Sequence, residues 1–183
     1  GVDSLNVKLE SWRNQIGLVS QESVMFDDTI ANNISIWKGD TINDAFLLEK
    51  INNAAIQANI IEHIESLPDG LQTVVGDRGV RLSGGQKQRL FIARELFKEP
   101  NLLILDEATS ALDSDSEMHI QKSIDTLKGR MTVLLIAHRL STIRSADIIY
   151  VLEKGVVVES GTYEKLTQKS KSKLAKMAKM QAL

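Results

Sequence analysis

The chain has 183 residues, the length of one domain or of a part of one. Hydrophobic residues make up 43% of the sequence, enough for a buried core, and the net charge of −2 gives no electrostatic reason to expect nucleic acid as the main ligand. The absence of cysteine excludes disulfides and thiolate metal sites and favours a cytosolic setting. Apolar runs fall far short of the roughly 20 residues that span a bilayer, so we expect this chain itself to be soluble.

The first part of the chain is predicted to contain one strand followed by helices. The short apolar run Ile16–Val19 is typical of a buried strand. Residues 27–29 can cap a short helix, and apolar residues recur at helical spacing over residues 43–58. Asn59 is expected to cap a further helix, which the Pro-Asp-Gly sequence at residues 68–70 ends.

The middle of the chain alternates helices with buried strands. A helix is predicted over residues 86–98, with Ser83 as its cap, and residues 102–105 form an apolar run typical of a strand that is covered on both faces. Asp113 can cap the next helix, and a second buried strand is predicted over residues 133–137.

The last part is predicted to hold a hairpin and a helix. Apolar residues 148–152 and 156–158 flank a Glu-Lys-Gly turn signal. Thr162 can cap the final helix. We expect its lysine-rich end to be a solvated, partly frayed tail, because cations are favoured near the C-terminus of a helix.

The order strand, helical segment, strand, helix, strand predicts an α/β fold with a mostly parallel sheet. In such sheets ligands bind at the carboxyl ends of the strands. Polar residues follow three predicted strands, namely Gln21, the pair Asp106 and Glu107, and His138. We therefore expect these side chains to lie at one edge of the sheet.

The stretch around Ser83 has the pattern of an anion-binding helix start. Ser83 is followed by Gly84 and Gly85, which let another group approach the first backbone N–H donors closely. Those donors and the positive end of the helix dipole attract anions. An ordinary helix cap has the same pattern, so this stretch alone does not decide between the two interpretations.

Asp106 and Glu107 are a second group of candidate site residues. A strand that ends in two carboxylates is poor core material, because buried carboxylates need partners. In phosphoryl-transfer sites one acid typically helps to hold Mg²⁺ and a further group orients the attacking water. His138 could hydrogen-bond a phosphate oxygen. His63 and His119 lie on predicted helices without partners at metal-ligand spacing and are expected to be structural.

Together these motifs resemble the nucleotide-binding domain of ABC (ATP-binding cassette) transporters, over about residues 16–166. The resemblance implies a P-loop NTPase-like (RecA-like) α/β core with a mostly parallel sheet plus an inserted α-helical subdomain, and ATP and Mg²⁺ as cofactors. It rests on one ordered series of motifs: Val19-Ser20-Gln21-Glu22, Leu82-Ser83-Gly84-Gly85-Gln86, Leu102-Leu103-Ile104-Leu105-Asp106-Glu107, Ser110-Ala111-Leu112-Asp113 and His138.

The resemblance implies that the signature motif binds the γ-phosphate of an ATP held mainly by the opposite subunit. The residues at the matching positions are Ser83, Gly84, Gly85 and Gln86. Ser110 and Asp113 match the D-loop, which lies at the dimer interface in the family.

The catalytic roles follow from the same resemblance. Asp106 matches the Walker B acid, which acts on Mg²⁺, usually through water, and Glu107 matches the general base that polarises the attacking water. His138 matches the switch histidine that contacts the γ-phosphate. Gln21 matches the Q-loop glutamine, which reaches Mg²⁺ and the water and senses the transport domain.

Three segments further resemble exporters: the loop from Thr73 to Gly79, residues 24–30 and residues 155–162. The implied partners are a second ATPase domain in a head-to-tail dimer and transmembrane domains, contacted through the Gln21 loop and the loop from Thr73 to Gly79. No nucleic acid is expected. The implied location is the cytoplasmic face of the cell (inner) membrane, as part of a membrane protein.

The sequence departs from the family pattern in one respect, because it contains no G-x-x-x-x-G-K-[ST] phosphate-binding loop. We therefore expect a chain truncated before the Q-loop that alone neither binds ATP tightly nor hydrolyses it, and whose sheet has an exposed edge. The predicted parts are a core at residues 1–26 and 101–166, a helical subdomain at about residues 27–100, and a basic C-terminal helix at residues 167–183.

Two other function classes stay open. A soluble ABC-type ATPase of DNA repair or chromosome organisation would carry a long coiled coil between Gln21 and Ser83, where this sequence has short amphipathic helices without sustained heptads. A non-catalytic interaction fragment that presents only its signature surface is the third possibility.

Overall fold

The computed structural model describes residues 3, 6–20, 22–107, 113–137, 139–169 and 171–181. The chain divides into two compact units, residues 1–136 and residues 137–183. The first unit contains a parallel sheet and six helices in its described part, and the second contains a hairpin and three helices in its described part.

The sheet of the first unit consists of three parallel strands, β1 (Ile16–Val19), β2 (Leu102–Asp106) and β3 (Thr132–Ile136), in the order β1-β2-β3. Val19 lies opposite Leu105, and Asp106 lies opposite Ile136. The carboxyl ends of the three strands therefore meet at one edge, as the sequence predicts. The alternate residues Leu103 and Leu105 of the central strand are completely buried.

Six helices accompany this sheet: α1 (Leu9–Arg13), α2 (Ile30–Ser35), α3 (Ala45–Gln57), α4 (Ile61–Glu65), α5 (Gly84–Leu96) and α6 (Ser114–Leu127). Single 3-10 turns lie at Gly70–Gln72 and Asp77–Gly79. The sequence did not predict α1, which buries no residue and so has no apolar period. Thr29 caps α2 and Asp44 caps α3 through side-chain oxygens that accept from backbone N–H groups.

Helix α5 is the centre of this unit, because it packs against α2, α3, α6 and β1. Its apolar side chains form most of the buried stripe, with Leu90, Ile92 and Ala93 at most 2% exposed. The signature stretch thus leads into a helix that is held on several sides.

The predicted cap at Asn59 is wrong. The residue before α4 is Ile60, which makes no side-chain cap, and Asn59 has a left-handed backbone with φ of 52°. The Asn59 side chain turns away to α6, where its Nδ2 lies 3.0 Å from Nδ1 of His119. Asparagine tolerates the left-handed region, so it serves here as a turn residue instead of a cap.

The second unit contains α7 (Leu140–Ile143), the antiparallel hairpin of β4 (Ile149–Glu153) and β5 (Val156–Gly161), α8 (Tyr163–Thr167) and α9 (Lys173–Gln181). The predicted hairpin is confirmed. The predicted single final helix is wrong, because Thr162 caps only α8 and a separate helix begins at Lys173.

The lysine-rich end is not a solvated tail over its whole length. Leu174 is 2% exposed and packs in an apolar cluster with Leu140, Ile149 and Leu166. The Glu159 carboxylate accepts from the Ser172 hydroxyl at 2.8 Å and from the Lys173 N–H at 2.7 Å. These contacts dock α9, and its lysines lie around the remaining faces. Among the described residues no helix has the length and apolar character to cross a membrane.

Candidate functional site

The N-terminus of α5 is capped by a reciprocal pair of hydrogen bonds. The Ser83 hydroxyl accepts from the Gln86 N–H at 3.2 Å, and the Gln86 side-chain oxygen accepts from the Ser83 N–H at 2.8 Å. This capping box leaves the N–H groups of Gly84 and Gly85 without partners inside the helix. Ser83 and Gly84 are exposed. The helix start is therefore capped by its own side chains, and its first N–H groups have no acceptor within the helix.

Gly85 brings the starts of α5 and α6 together. Gly85 is buried, and a Cβ added to it would lie 2.3 Å from Oγ and 2.5 Å from Cβ of Ser116 in the first turn of α6. Only glycine permits this approach. A residue without a side chain is therefore needed at position 85 because the start of α6 lies against it.

Asp113 caps that second helix. Its carboxylate accepts from the Ser116 N–H at 2.8 Å and from the Ser116 hydroxyl at 3.0 Å. These hydrogen bonds stabilise the charged form and lower the pKa of Asp113 below its usual value. The signature motif and Asp113, which the sequence places 30 positions apart (113 minus 83), are therefore neighbours through Ser116.

Asp106 and Glu107 lie at the carboxyl edge of the sheet. Asp106 ends β2, and Glu107 follows it with a left-handed backbone whose φ is 51°. The Glu107 N–H donates to the Ile136 carbonyl of β3 at 3.0 Å, which fixes the residue in this conformation. A non-glycine residue pays roughly 1–2 kcal/mol for the left-handed region, so strain accumulates at the predicted general base.

Three predicted site residues, Gln21, Ser110 and His138, lie outside the described residues. The described Ser20 follows β1 at the same edge of the sheet as Asp106, and the Ser23 hydroxyl donates to the Ser20 carbonyl at 3.0 Å. The roles of the three residues stay predictions.

Two buried polar side chains of α5, which the sequence analysis missed, anchor this helix. Nε and Nη1 of Arg94 donate to the carbonyl groups of Asn33 and Val24, each at 2.8 Å. The neighbouring Glu95 accepts from the Leu18 N–H of β1 at 3.3 Å. An Arg-Glu pair inside an otherwise apolar helical stripe is the signal that could have revealed them, because buried charges need partners.

Of the two histidines expected to be structural, His63 contacts a residue of the signature motif. Nδ1 of His63 lies 3.4 Å from Nε2 of Gln86. His119 contacts Asn59 and also has a carboxylate neighbour that the sequence analysis overlooked, since its Nε2 lies 3.9 Å from Oδ2 of Asp115. The two residues are one helical turn apart, a spacing that the sequence displays.

The loop from Thr73 to Gly79 is tied to α2. Val74 forms an isolated antiparallel bridge with Thr29, and Arg81 donates from Nη1 to the Val74 carbonyl at 3.1 Å. Val74 is 41% and Val80 is 74% exposed. The loop thus exposes the apolar side chain of Val74, and Val80, the residue that follows it, exposes another.

Comparison with known proteins agrees with this geometry. A family model described as ABC transporter matches residues 2–110, more than half of the chain. The chain belongs to the ABC transporter family.

Named relatives refine this assignment. An ATP-dependent lipid A-core flippase of Coxiella burnetii is 52% identical over 168 residues, which are 90% of this chain and 28% of that protein. An ABC-type transporter, fsqE, of Aspergillus fumigatus is 46% identical over 186 aligned residues, which cover all of this chain and 14% of that protein. The chain thus spans less than a third of either relative.

A solved structure of similar fold is that of a bacterial Atm1-family ABC exporter with ATP bound. It is 40% identical, with a TM-score of 0.81 over 95% of this chain and 30% of that chain. The predicted α/β fold with a parallel sheet, that of ABC nucleotide-binding domains, is confirmed, as is the resemblance to exporters.

Proposed function

We propose that the chain is part of the nucleotide-binding domain of an ABC exporter and contributes the signature half of an ATP site. The observation that carries this proposal is the contact of Gly85 with Ser116. It sets two capped helix starts side by side, with Ser83 and Asp113 exposed at them. The other half of the site, the phosphate-binding loop, comes from a second ATPase domain arranged head to tail.

The start of α5 fits the terminal phosphate of ATP. The Ser83 hydroxyl accepts from Gln86 within the cap, and its own proton stays available to donate to a phosphate oxygen. The N–H groups of Gly84 and Gly85 add donors at the positive end of the helix dipole. Signature residues Ser83, Gly84, Gly85 and Gln86 therefore bind and orient the phosphate.

Asp106 is suited to bind Mg²⁺ together with phosphate oxygens of the substrate. Among the described residues no three His, Cys, Asp or Glu side chains are grouped so as to hold a metal. Mg²⁺ usually takes one or two protein carboxylates together with phosphate oxygens and water, so a single acid suffices. When bound, Mg²⁺ supplies charge neutralisation on the phosphates. Gln21 is the second residue that we assign to this ion and to the water.

Glu107 is the residue that we assign as general base. Its carboxylate takes a proton from the attacking water, and His138 hydrogen-bonds the terminal phosphate. Phosphoryl transfer needs positioning and charge stabilisation more than covalent chemistry, and strain at Glu107 is consistent with a fixed position.

The test of this assignment uses Glu107→Gln in the complete transporter that we propose. Glutamine keeps the size of the side chain but cannot take a proton, so nucleotide binding should persist while turnover is nearly abolished. Glu65→Gln, at an exposed position of α4, is the matched control and should keep both. Normal turnover in Glu107→Gln would contradict the assignment.

The chain alone should neither bind ATP tightly nor hydrolyse it, because its sequence contains no phosphate-binding loop. Steady Mg-ATPase activity of the purified 183-residue chain would contradict this statement.

The partners that we assign besides the second ATPase domain are transmembrane domains. The exposed apolar side chains of Val74 in the loop from Thr73 to Gly79 and of Val80 directly after it support a contact through this loop, and Gln21 is assigned to the same contact. Ser110 and Asp113 are assigned to the dimer interface. The domain would then lie at the cytoplasmic face of the membrane. The division into a core and a helical subdomain at residues 27–100 belongs to this proposal as well.

A further inference from the structure

His63 lies beneath the start of α5, on a different helix. It belongs to α4, and its Nδ1 faces the side-chain nitrogen of Gln86 at 3.4 Å. The same Gln86 amide already uses its oxygen to accept from the Ser83 N–H at 2.8 Å. One planar amide therefore links the histidine ring to the capping box.

The amide fixes the protonation of the ring. Since the Gln86 oxygen points to Ser83, the NH₂ group points to His63, and an NH₂ group only donates. An Nδ1 that accepts this hydrogen bond must carry a lone pair, so the contact selects the neutral imidazole with its proton on Nε2. Nε2 is buried and has no hydrogen-bond partner within the described part of the chain.

The surroundings oppose a second proton on this ring. Burial lowers the pKa of His63 below 6.5, and the positive charge of Arg89 lowers it further. Arg89 is held in place by bonds from its Nη1 to the Asn59 carbonyl at 2.7 Å and from its Nε to the Gly85 carbonyl at 3.3 Å.

Charged groups on the elements around His63 are few. Arg89 comes from α5, Glu62 and the exposed Glu65 belong to α4 itself, and Asp115 of α6 acts on Arg89. The turn Gly70–Gln72 and the last turn of α3, which also pack against α4, contain no charged residue.

We infer that neutral His63 is a positioning residue, which holds the Gln86 amide in the orientation that caps Ser83 and so keeps the start of α5 in its phosphate-binding form. Protonation of Nδ1 places two donors face to face. The Gln86 amide then rotates to offer its oxygen to the ring, and the Ser83 N–H loses its acceptor. That this start binds a phosphate rests on the proposed function, whereas the state of the ring and of the cap does not.

The experiment follows the 183-residue chain by NMR. Long-range ¹H–¹⁵N spectra report the His63 tautomer, and amide hydrogen exchange reports the Ser83 N–H. At neutral pH we expect the proton on Nε2. As the pH falls below 6.5 and passes the lowered pKa of His63, the protection factor of Ser83 (the intrinsic exchange rate at each pH divided by the measured rate) should fall about fivefold, the factor that loss of one hydrogen bond gives. A proton on Nδ1 at neutral pH would overturn the inference.

Variants distinguish a specific role of His63 from a general effect of low pH on the protection of Ser83. His63→Asn places an amide oxygen near the position of Nδ1, so Ser83 should stay protected at every pH. His63→Leu removes the acceptor, so protection should be lost at every pH. His119→Gln, which alters a histidine without contact to Gln86, should keep the acid response of the wild type. Full Ser83 protection in His63→Leu would overturn the inference even if ATP hydrolysis by the complete transporter were confirmed.

Discussion

The contact of Gly85 with Ser116 can be tested by adding a single methyl group. In Gly85→Ala the new Cβ would lie 2.5 Å from Cβ of Ser116, and Cβ atoms do not come closer than about 3.0 Å. Ordinary contact begins at 3.4 Å, so the first turn of α6 must retreat by about 0.9 Å (3.4 minus 2.5). Rotation of the Ser116 side chain moves Oγ but cannot move Cβ away.

Two opposing contributions determine how Gly85→Ala changes the free energy of unfolding. Overpacking at a well-packed contact costs about 1–3 kcal/mol, and alanine gains at most about 1 kcal/mol over glycine within a helix, less in its first turn. We therefore expect Gly85→Ala to lower the free energy of unfolding by about 1–2 kcal/mol. Both tryptophans, Trp12 and Trp37, belong to the unit that contains α5 and α6, so urea unfolding followed by tryptophan fluorescence measures this change.

A double-mutant cycle separates the contact from other effects of the methyl group. Ser116→Gly removes the Cβ that the new methyl group meets, and the next atom is the Ser116 Cα at 3.5 Å. The two changes together should therefore cost at least about 1 kcal/mol less than the sum of the single changes. Strictly additive costs, or a Gly85→Ala chain within about 0.5 kcal/mol of the wild type, would refute the reasoning.

Three further predictions concern other parts of the chain. Arg94→Met should lower the free energy of unfolding by about 2–4 kcal/mol, measured by the same fluorescence method, because the buried carbonyl and amide oxygens of Asn33 lose their hydrogen bonds from Arg94, and the amide oxygen keeps only the one from the Phe26 N–H. Glu107→Gly should raise that free energy by about 0.5–1 kcal/mol while abolishing turnover, because glycine adopts the left-handed backbone without strain; an unchanged or lower stability would contradict this. The pKa of Glu159 is lowered by hydrogen bonds, first of all from the Lys173 N–H, so its contribution is present above pH 4.5 and is lost as the pH falls below that value. The protection factors of the α9 amides, which are corrected for the intrinsic exchange rate at each pH, should decrease over that range in the wild type and be low throughout in Glu159→Gln, and pH-independent protection in the wild type would exclude this role.

Much of the fold follows from local rules that the sequence displays. The apolar runs give the three parallel strands, and the bounds of these strands differ from the prediction by at most one residue at each end. Ser83, Thr29 and Asp113 cap the helices that the capping rules predict. Short-range patterns suffice where the decisive hydrogen bond spans three residues.

The remaining features depend on contacts between residues far apart in the sequence. Asparagine is a favoured capping residue, but the Asn59 side chain bonds to His119, 60 residues away, and the Asn59 backbone is left-handed. The burial of Leu174 depends likewise on the packing of α7, α8 and β4, which no local period of α9 reveals. The contact of His63 with Gln86 joins two helices, so no local pattern identifies His63 as a site residue.

The amides at the start of α5 give the most direct test of the central claim, that this start is the signature half of an ATP site. Hydrogen exchange of the Gly84 and Gly85 N–H groups is measured in the complete transporter carrying Glu107→Gln, with and without Mg-ATP. Bound phosphate should slow the exchange of both groups at least about tenfold, since each then donates to a charged acceptor. Unchanged exchange at Gly84 and Gly85 in a protein that has bound Mg-ATP would contradict the account.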